Sequence, residues 1–224
     1  GGKTRACKVL YIILNEEFDI SSFKSISSPF FGGGSFEFYI QNKYNLNIIA
    51  NDKFTPLYNF WSICKTDKIN LCNELTSKIN TIDKEDFANM RDKIMDEKNM
   101  LNQSIMYFII NRCSFSGATL SGGFSLEASK NRFTQSSIDR IKNLNLSRFC
   151  ISNLDFEEFI SSNQDENNLI FLDPPYYLEK GSKLYGNKGD MHETFDHDKL
   201  HKCISKKKNW FITYNNCDYI KNLY

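Results

Sequence analysis

Residues 173–176, Asp-Pro-Pro-Tyr, carry groups that can hold a flat amine. The run before them, 169–172, is apolar throughout and is typical of a strand buried in a parallel sheet. Pro174 and Pro175 end such a strand, because proline has no N–H to donate and fixes its own φ. One interpretation is a stiff turn in which the tyrosines pack. The other is a rigid platform that presents a carboxylate, a backbone carbonyl and an aromatic ring.

A platform of this kind suits the exocyclic amine of a base such as adenine. This amine is a poor nucleophile, because its lone pair is delocalised into the ring. Asp173 and the carbonyl of Pro174 would accept its N–H bonds and favour a more tetrahedral nitrogen, while Tyr176 stacks on the ring. A base reaches such a pocket only when it is swung out of its helix. We expect Asp173, Pro174, Pro175 and Tyr176 to be the catalytic residues and Tyr177 to pack.

A glycine cluster at 32–34 lies between a predicted strand at 23–31 and a predicted helix at 35–41. Glycines let a ligand approach the backbone, and the N-terminus of the next helix offers N–H groups to an anion. Asp52 follows the next predicted strand, at 46–50, where an acid can accept both hydroxyls of a ribose. Plain turns give the same pattern, and neither G-x-G-x-x-G nor a P-loop pattern occurs. The spacing favours a nucleoside-bearing cofactor without a phosphate cradle.

In this order, these segments resemble the Dam-like, D12-class DNA adenine-N6 methyltransferases, which use S-adenosylmethionine. The resemblance covers nearly the whole chain. GGK at 1–3 resembles the opening motif, PFFGGGSF at 29–36 the methionine-binding loop, and DPPYY at 173–177 the catalytic motif. NDKFTPLYNFW at 51–61 and NLDFEEFI at 153–160 resemble the segments that hold the ribose and the adenine. The resemblance implies cofactor contacts from Lys3, Phe30, Gly32, Gly34, Asp52, Asp155, Phe156 and Asp173.

Two further segments, NRCSFSG at 111–117 and NRFTQSS at 131–137, resemble the family's DNA-contacting hairpin and the helix after it. By this resemblance Arg112 touches phosphate and Phe115 wedges into the base stack, and Ser116 and Arg132 lie in the same DNA-binding region. Residues 112–148 hold six Lys/Arg and two Asp/Glu, so the segment is locally basic. The alternatives are that Phe115 belongs to the core and that the arginines are solvated charges.

Some positions depart from the family's pattern or have a simpler interpretation. Ser28 stands where the family often has an acid, which leaves one cofactor contact open. The aromatic residue usual before GGK is missing because the chain starts at Gly1, so we expect a longer parent protein. Lys3 could be a solvated lysine, and Asp155 could be a helix N-cap, a role compatible with ligand contact.

The coarse pattern along the chain predicts an α/β fold with an insertion. A helix at 4–14, with Ala6, Leu10 and Ile13 on one face, precedes the first strand, and another helix opens at Thr55-Pro56. Residues 71–79 and 87–111 read as helices, 111–133 as a loop or hairpin, and 148–152, 169–172 and 210–214 as strands. We therefore predict a Rossmann-like α/β methyltransferase core at 1–64 and 148–224. A small helical and hairpin target-recognition module is inserted at 65–147.

The composition excludes several classes of protein but does not identify a binding partner. The net charge of +1 does not indicate nucleic acid, so any basic surface is local. The seven cysteines form no C-x-x-C pair, and the histidines at 192, 197 and 201 lack an H-E-x-x-H pattern. We predict no metal site and expect an exposed helix start around Asp196. With no secretory or membrane-spanning segment, we expect a reducing intracellular setting, cytoplasmic or associated with DNA.

The sequence thus predicts methyl transfer from S-adenosylmethionine to N6 of a flipped adenine in double-stranded DNA. Three alternatives stay open: a methyltransferase of RNA or another exocyclic amine, a non-catalytic nucleic-acid-binding subunit, and a truncated, inactive fragment. The recognition sequence, the oligomeric state and the existence of a cognate restriction endonuclease are not given by the sequence.

Overall fold

The structure is a computed structural model that describes residues 6–163, 165–177 and 195–224. The described residues form two compact units. The first unit comprises the described parts of 6–53, 147–177 and 195–224, and the second comprises 54–146. The segment at 55–64, which was predicted with the core, lies in the second unit. No helix in the described ranges is long and apolar enough to cross a membrane.

The first unit is built on a five-stranded sheet in the order β3-β2-β1-β4-β5, and every pairing is parallel. The strands are β1 (Ser25–Ser28), β2 (Asn47–Asn51), β3 (Phe149–Ser152), β4 (Asn168–Leu172) and β5 (Trp210–Ile212). The strand order reverses between β1 and β4, and ligands of open α/β sheets bind at such a switch point, beyond the carboxyl ends of the strands. The sheet confirms the predicted Rossmann-like α/β fold.

Five described helices accompany this sheet. They are α1 (Cys7–Glu17), α2 (Ser35–Tyr44), α9 (Phe156–Ser162), α10 (His197–Ile204) and α11 (Asp218–Leu223), with a 3₁₀ turn at Ile20–Ser22. Side chains of β4 pack with those of α9 and α10 in a buried cluster of Phe156, Phe159, Ile160, Ile170, Leu172, Leu200 and Ile204. This cluster holds the ends of β4 and β5 and the start of α9, which carry much of the candidate site.

Two predictions about the first unit need correction. The face predicted for the first helix is wrong, because Cys7 and Leu14 are the buried residues of α1 and Ile13 is exposed. The first strand is shorter than predicted and is made of Ser-Ile-Ser-Ser, all buried. Ser25 and Ser27 are tolerated because Asn168 accepts a hydrogen bond from Ser25 at 2.9 Å and donates one to Ser27 at 2.8 Å.

The second unit is helical in its described residues. Its helices are α3 (Thr55–Thr66), α4 (Lys68–Ser77), α5 (Lys84–Lys93), α6 (Met100–Cys113), α7 (Leu126–Arg132) and α8 (Gln135–Lys142). The single helical region predicted at 87–111 is two helices. The Asn99 side chain caps the second of them by accepting the N–H of Asn102 at 3.0 Å. The predicted hairpin is a loop closed by an antiparallel bridge between Ser114 and Phe124, with a 3₁₀ turn at Phe115–Gly117.

Candidate active site

The loops that follow the five strands meet at one edge of the sheet, because all the strands are parallel. Gly32 follows β1, Asp52 follows β2, Asp155 follows β3 and Asp173 follows β4. The structure therefore brings the predicted cofactor and catalytic segments of the first unit to the carboxyl edge. Lys3 lies outside the described residues.

The glycine loop after β1 is tied to the acid after β2. The N–H of Gly32 donates to the Asp52 carboxylate at 3.0 Å. Gly32 and Gly34 both have positive φ, 53° and 63°, a conformation that L side chains rarely adopt. A Cβ at Gly32 would meet nothing within 4 Å, whereas a Cβ at Gly34 would collide with the Phe31 ring. Gly34 is thus required by packing, and Gly32 leaves room for a ligand to approach the backbone.

Asn51, at the end of β2, holds three of these loops together and was not singled out from the sequence. It is fully buried, and its amide N–H groups donate to the carbonyls of Pro29 at 3.1 Å and Leu154 at 3.0 Å. Its side-chain oxygen accepts from the Ser152 hydroxyl at 2.8 Å and from the N–H of Leu154 at 2.9 Å. The loops after β1, β2 and β3 are therefore fixed relative to one another by one amide. A polar residue closing an apolar strand was the only signal in the sequence.

Three aromatic rings form a cluster beside α9. The centroid of Phe30 lies 5.7 Å from that of Phe156, and Phe195 lies 5.5 Å from Phe30 and 5.3 Å from Phe156. Phe30 and Phe195 are half-buried. Phe156 was predicted to line the cofactor's adenine pocket and Phe30 to contact the cofactor from the methionine-binding loop. Phe195 joins them through folding from a distant part of the chain. Such a cluster offers an apolar surface to a planar ring.

Asp155 caps α9 by accepting the N–H of Glu157 at 3.1 Å, as the capping interpretation predicts. It also accepts a hydrogen bond from the Lys53 ammonium at 2.8 Å. This bond is the main cause of a lowered pKa of the Asp155 carboxyl. The side chains of Lys53 and Asp155 are 78% and 37% exposed, so the pair is accessible to a ligand. A ligand amine at Asp155 would compete with Lys53.

The acid after β4 is held by the neighbouring strand end. The Thr213 hydroxyl donates to the Asp173 carboxylate at 2.7 Å, and the N–H of Thr213 donates to the carbonyl of Leu172 at 2.9 Å. Pro174 is buried, and Pro175 and Tyr176 are half-buried. The Tyr176 ring lies 6.4 Å from that of Tyr214. The loop thus presents a fixed carboxylate next to an aromatic ring.

A second aromatic cluster packs against the end of this loop. Tyr177 stacks on Tyr219 at 4.3 Å, and its carbonyl accepts a hydrogen bond from Asn215 at 2.9 Å. Helix α10 begins at His197 after the exposed N-cap Asp196, as predicted, but His197 itself is buried. Its Nδ1 lies 2.7 Å from the Tyr214 hydroxyl. Burial raises the pKa of that hydroxyl. Tyr177 therefore packs, as predicted, and the histidine serves the same packing.

The predicted DNA-binding residues lie in the second unit. Phe115 is 70% exposed, so it is not part of the core. Ser116 is exposed with a positive φ of 55°. Arg132 donates to the carbonyl of Ser114 and is half-buried. The hairpin therefore shows one large apolar side chain to solvent.

Arg112 is half-buried, with its guanidinium carbon 5.1 Å above the Phe108 ring centroid. Its Nε is buried and has no hydrogen-bond partner among the described residues. Burial lowers the pKa of the guanidinium, and the charges of Arg140 and Arg132 lower it further. Arg112, Arg132 and Arg140 thus lie near one another, and the buried Nε of Arg112 has no hydrogen bond among the described residues to offset its loss of water.

A cavity of about 670 Å³ lies in the first unit at the amino end of β4, away from the loops described above. Asn168 and Asn209 line it, together with charged side chains of the segments at 157–166 and 199–208. None of the predicted site residues lines this cavity. The candidate site is therefore the carboxyl edge of the sheet, where open α/β sheets bind ligands.

Comparison with known proteins identifies the family. No curated protein matches the chain. A family model described as "D12 class N6 adenine-specific DNA methyltransferase" matches residues 1–224, the whole chain. The chain therefore belongs to the D12 class of N6 adenine-specific DNA methyltransferases, enzymes that methylate adenine N6 in DNA.

Proposed function

We propose that the protein transfers the methyl group of S-adenosylmethionine to N6 of an adenine flipped out of duplex DNA. The observation that carries this proposal is the position of Asp173, which Thr213 fixes at the end of β4 with a hydrogen bond of 2.7 Å. β4 borders the switch point of the sheet, next to β1 and its glycine loop. Donor and acceptor of the methyl group would meet there.

The residues present fit the cofactor. S-adenosylmethionine supplies a methyl group activated by a sulfonium. The open space beside Gly32 admits a ligand to the backbone, and Asp52, bonded to Gly32 at 3.0 Å, is placed to accept ribose hydroxyls. The rings of Phe30 and Phe156 supply an apolar wall for the adenine, and Asp155 supplies an acceptor for its amine. These contacts position the methionine end toward the switch point.

The Asp173 loop then acts on the target base by positioning and electrostatics. Asp173 and the carbonyl of Pro174 accept the N–H bonds of the adenine amine, and Tyr176 stacks on the base. Because Thr213 already holds the carboxylate, little reorganisation is needed when charge develops on the nitrogen. As the N–C bond formed and the S–C bond broke, the cofactor would leave as a neutral thioether, and the amine would release one proton to solvent during or after transfer, which leaves the methylated nitrogen neutral.

The second unit supplies the contacts to DNA in this proposal. Arg112 is half-buried beside other basic side chains, and its Nε–H has no acceptor among the described residues. A phosphate oxygen of DNA would stabilise the charge of this guanidinium. Arg132 adds charge in the same segment. The exposed Phe115 ring would enter the base stack as the adenine leaves, and Ser116 would contact the DNA beside it.

The test is methyl incorporation from labelled S-adenosylmethionine into unmethylated duplex DNA, followed by nucleoside analysis. We expect N6-methyladenine from the wild-type protein and a loss of about 10³-fold or more in Asp173→Asn, which keeps the shape but not the charge. Asp173→Asn is expected still to bind S-adenosylmethionine, more weakly than the wild type because Asp173 is also a predicted cofactor contact, so the loss is measured at saturating cofactor.

Asp198→Asn is the matched control, because Asp198 also accepts a hydroxyl hydrogen bond, from Tyr219 at 2.8 Å, but lies on α10. It should retain full activity. Cofactor binding without transfer in the wild type would indicate a binding subunit and contradict the proposal. Structured RNA methylated faster than duplex DNA would contradict the assigned substrate.

A further inference from the structure

Glu37 is a buried acid beside the candidate site that no step above uses. It lies in the first turn of α2, directly after the glycine loop, and is only 2% exposed. The ionisable groups that face it are Asp173, from the loop after β4, and Cys7, from α1. Ser28, at the end of β1, faces it as well. Glu37 therefore lies at the β1/β4 switch point of the sheet.

A carboxyl group in this position is poorly compensated. Burial, with a smaller contribution from the Asp173 carboxylate, raises the pKa of Glu37 to about 7, although the backbone N–H groups of Phe36 and Glu37 and the Ser28 hydroxyl oppose the rise. Among the described residues, no lysine or arginine is one of the main groups that act on the Glu37 carboxyl. Two acids close together at low dielectric are stabilised by a cation placed near both.

The geometry of Ser28 gives a second observation at the same place. Its side chain is fully buried, and its hydroxyl has no hydrogen bond of standard geometry within the described residues. The hydroxyl lies close enough to the Glu37 carboxyl to oppose the rise in its pKa. Buried hydroxyls are seldom left in this state unless a ligand or water completes them.

We propose that Glu37 is a further cofactor-binding residue whose carboxylate holds the positively charged methionine end of S-adenosylmethionine. The inference rests on the proposed function. The sulfonium and ammonium of this ligand are cations, whereas its adenosine part is neutral, so a buried acid distinguishes the two ends. The chain thereby carries on α2 an acid that the resemblance leads one to expect at Ser28.

A purely structural role for Glu37 makes a different prediction. Its carboxylate accepts backbone N–H groups in the first turn of α2, which stabilises a helix N-terminus. A cap affects the whole loop and weakens every ligand that contacts it to a similar extent. A counter-charge affects only ligands that carry the positive charge. Ligands that share the adenosine part and differ in charge therefore separate the two roles.

The experiment measures binding of S-adenosylmethionine and of 5′-methylthioadenosine, which lacks the sulfonium and the amino-acid tail, by calorimetry on the full chain. We expect Glu37→Gln to weaken S-adenosylmethionine by about tenfold or more and methylthioadenosine by less than about twofold. Glu16→Gln, an exposed acid on α1, is the matched control and should change neither. Equal weakening of both ligands, or of neither, would overturn the proposal.

Proton release by the wild type is a second readout that needs no variant. Glu37 is partly protonated in the free protein near neutral pH and becomes ionised when a cation binds, so binding releases a proton. Affinity for S-adenosylmethionine should rise between about pH 6 and about pH 8, and this rise should flatten in Glu37→Gln. Release is read from calorimetry in buffers of different ionisation enthalpy, which decides the matter even if the variant fails to fold.

The two proposals fail in different ways. A wild-type protein that binds neither ligand contradicts the proposed function. A wild-type protein that binds both ligands and releases no proton contradicts the role of Glu37 alone.

Discussion

Three acids at the strand ends of the first unit are each hydrogen-bonded to a neighbouring group, whereas the hairpin region of the second unit exposes a large apolar ring and has a buried guanidinium nitrogen without a partner among the described residues. Asp52 binds the glycine loop, Asp155 binds Lys53 and Asp173 binds Thr213. In the second unit, Phe115 is 70% exposed and the Nε of Arg112 has no partner among the described residues. The two regions solve different binding problems.

The difference follows from the ligands proposed for each region. A small cofactor is held in a defined pose, and transition-state stabilisation works best when the polar groups are already oriented. DNA is a large polyanion whose phosphates supply most of the affinity, so basic side chains are useful when their own protein leaves them incompletely paired. The acids at the strand ends are therefore held in place before a ligand binds, whereas the hairpin region keeps an exposed ring and one incompletely bonded guanidinium.

The largest effect that tests this comparison is expected from Asn51→Leu. The substitution removes four hydrogen bonds of a buried amide and leaves the carbonyls of Pro29 and Leu154 without their donor. We expect the free energy of unfolding to fall by about 3 kcal/mol or more, because buried groups lose their partners. Affinity for S-adenosylmethionine should fall as well, because the loops lose their relative positions. Urea unfolding and cofactor binding at a temperature where the variant is folded measure the two effects.

Gln41→Leu is the control for Asn51→Leu. Gln41 is also a buried amide of the first unit, and it donates to the carbonyls of Leu46 and Arg148 at 3.1 and 3.3 Å. Its loss should lower stability without changing cofactor affinity. If both variants weakened the cofactor equally, the role of Asn51 in positioning the loops would be refuted.

Much of the site follows from the sequence because strand ends mark it. An apolar run followed by Asp173 and two prolines, and another followed by Asp52, place two acids on the same edge of any parallel sheet. The roles of Asn51 and Glu37 do not follow. A polar residue at a strand end looks like the start of a turn, and an acid in the first turn of a helix looks like an exposed partner of the helix dipole. Only packing shows that both are buried.

The misplaced boundaries have physical causes of the same kind. Residues 94–99 contain no glycine or proline, and the one local sign of the break between α5 and α6 is Asn99, a residue type favoured at helix N-caps. The break is fixed by the Asn99 cap and by Gln103, which donates to the carbonyl of Ile94 at 2.7 Å. The first strand was predicted as apolar, but its serines are buried because Asn168 bonds two of them. Long-range hydrogen bonds are invisible to periodicity.

An intermediate effect is expected in the second unit from Arg112→Met, which keeps the apolar stem and removes the charge. We expect affinity for duplex DNA to fall about tenfold at low salt. The slope of log K against log salt should drop by about 0.9, the value of one phosphate contact. Stability should not fall, since the variant also removes a partly desolvated charge. Titrations at several salt concentrations and a thermal melt measure these quantities.

Arg91→Met is the control, since the Arg91 guanidinium also lies over a ring, that of Phe87 at 6.0 Å, but pairs with Asp92 at 3.6 Å. Its salt slope should equal that of the wild type. An unchanged slope in Arg112→Met would show that Arg112 is only a solvated or packing charge, and the contrast between the two units would lose its main support.

The smallest effect is expected from Lys53→Met, which frees an acid of the first unit, Asp155, from the ion pair it makes at the end of its strand loop. The Lys53 ammonium holds Asp155 at 2.8 Å, so it competes with a ligand amine for the same carboxylate. An exposed pair of this kind contributes at most about 1 kcal/mol, and we expect methylthioadenosine to bind about threefold more tightly to the variant. Raising the salt concentration should tighten binding to the wild type in the same direction, because salt screens the pair. Lys208→Met, which breaks a still more exposed pair with Glu166 at 2.9 Å, should change nothing. Weaker binding by Lys53→Met would mean that Lys53 helps to hold the ligand, and the bonded strand ends would then be part of the cofactor contact rather than its competitor.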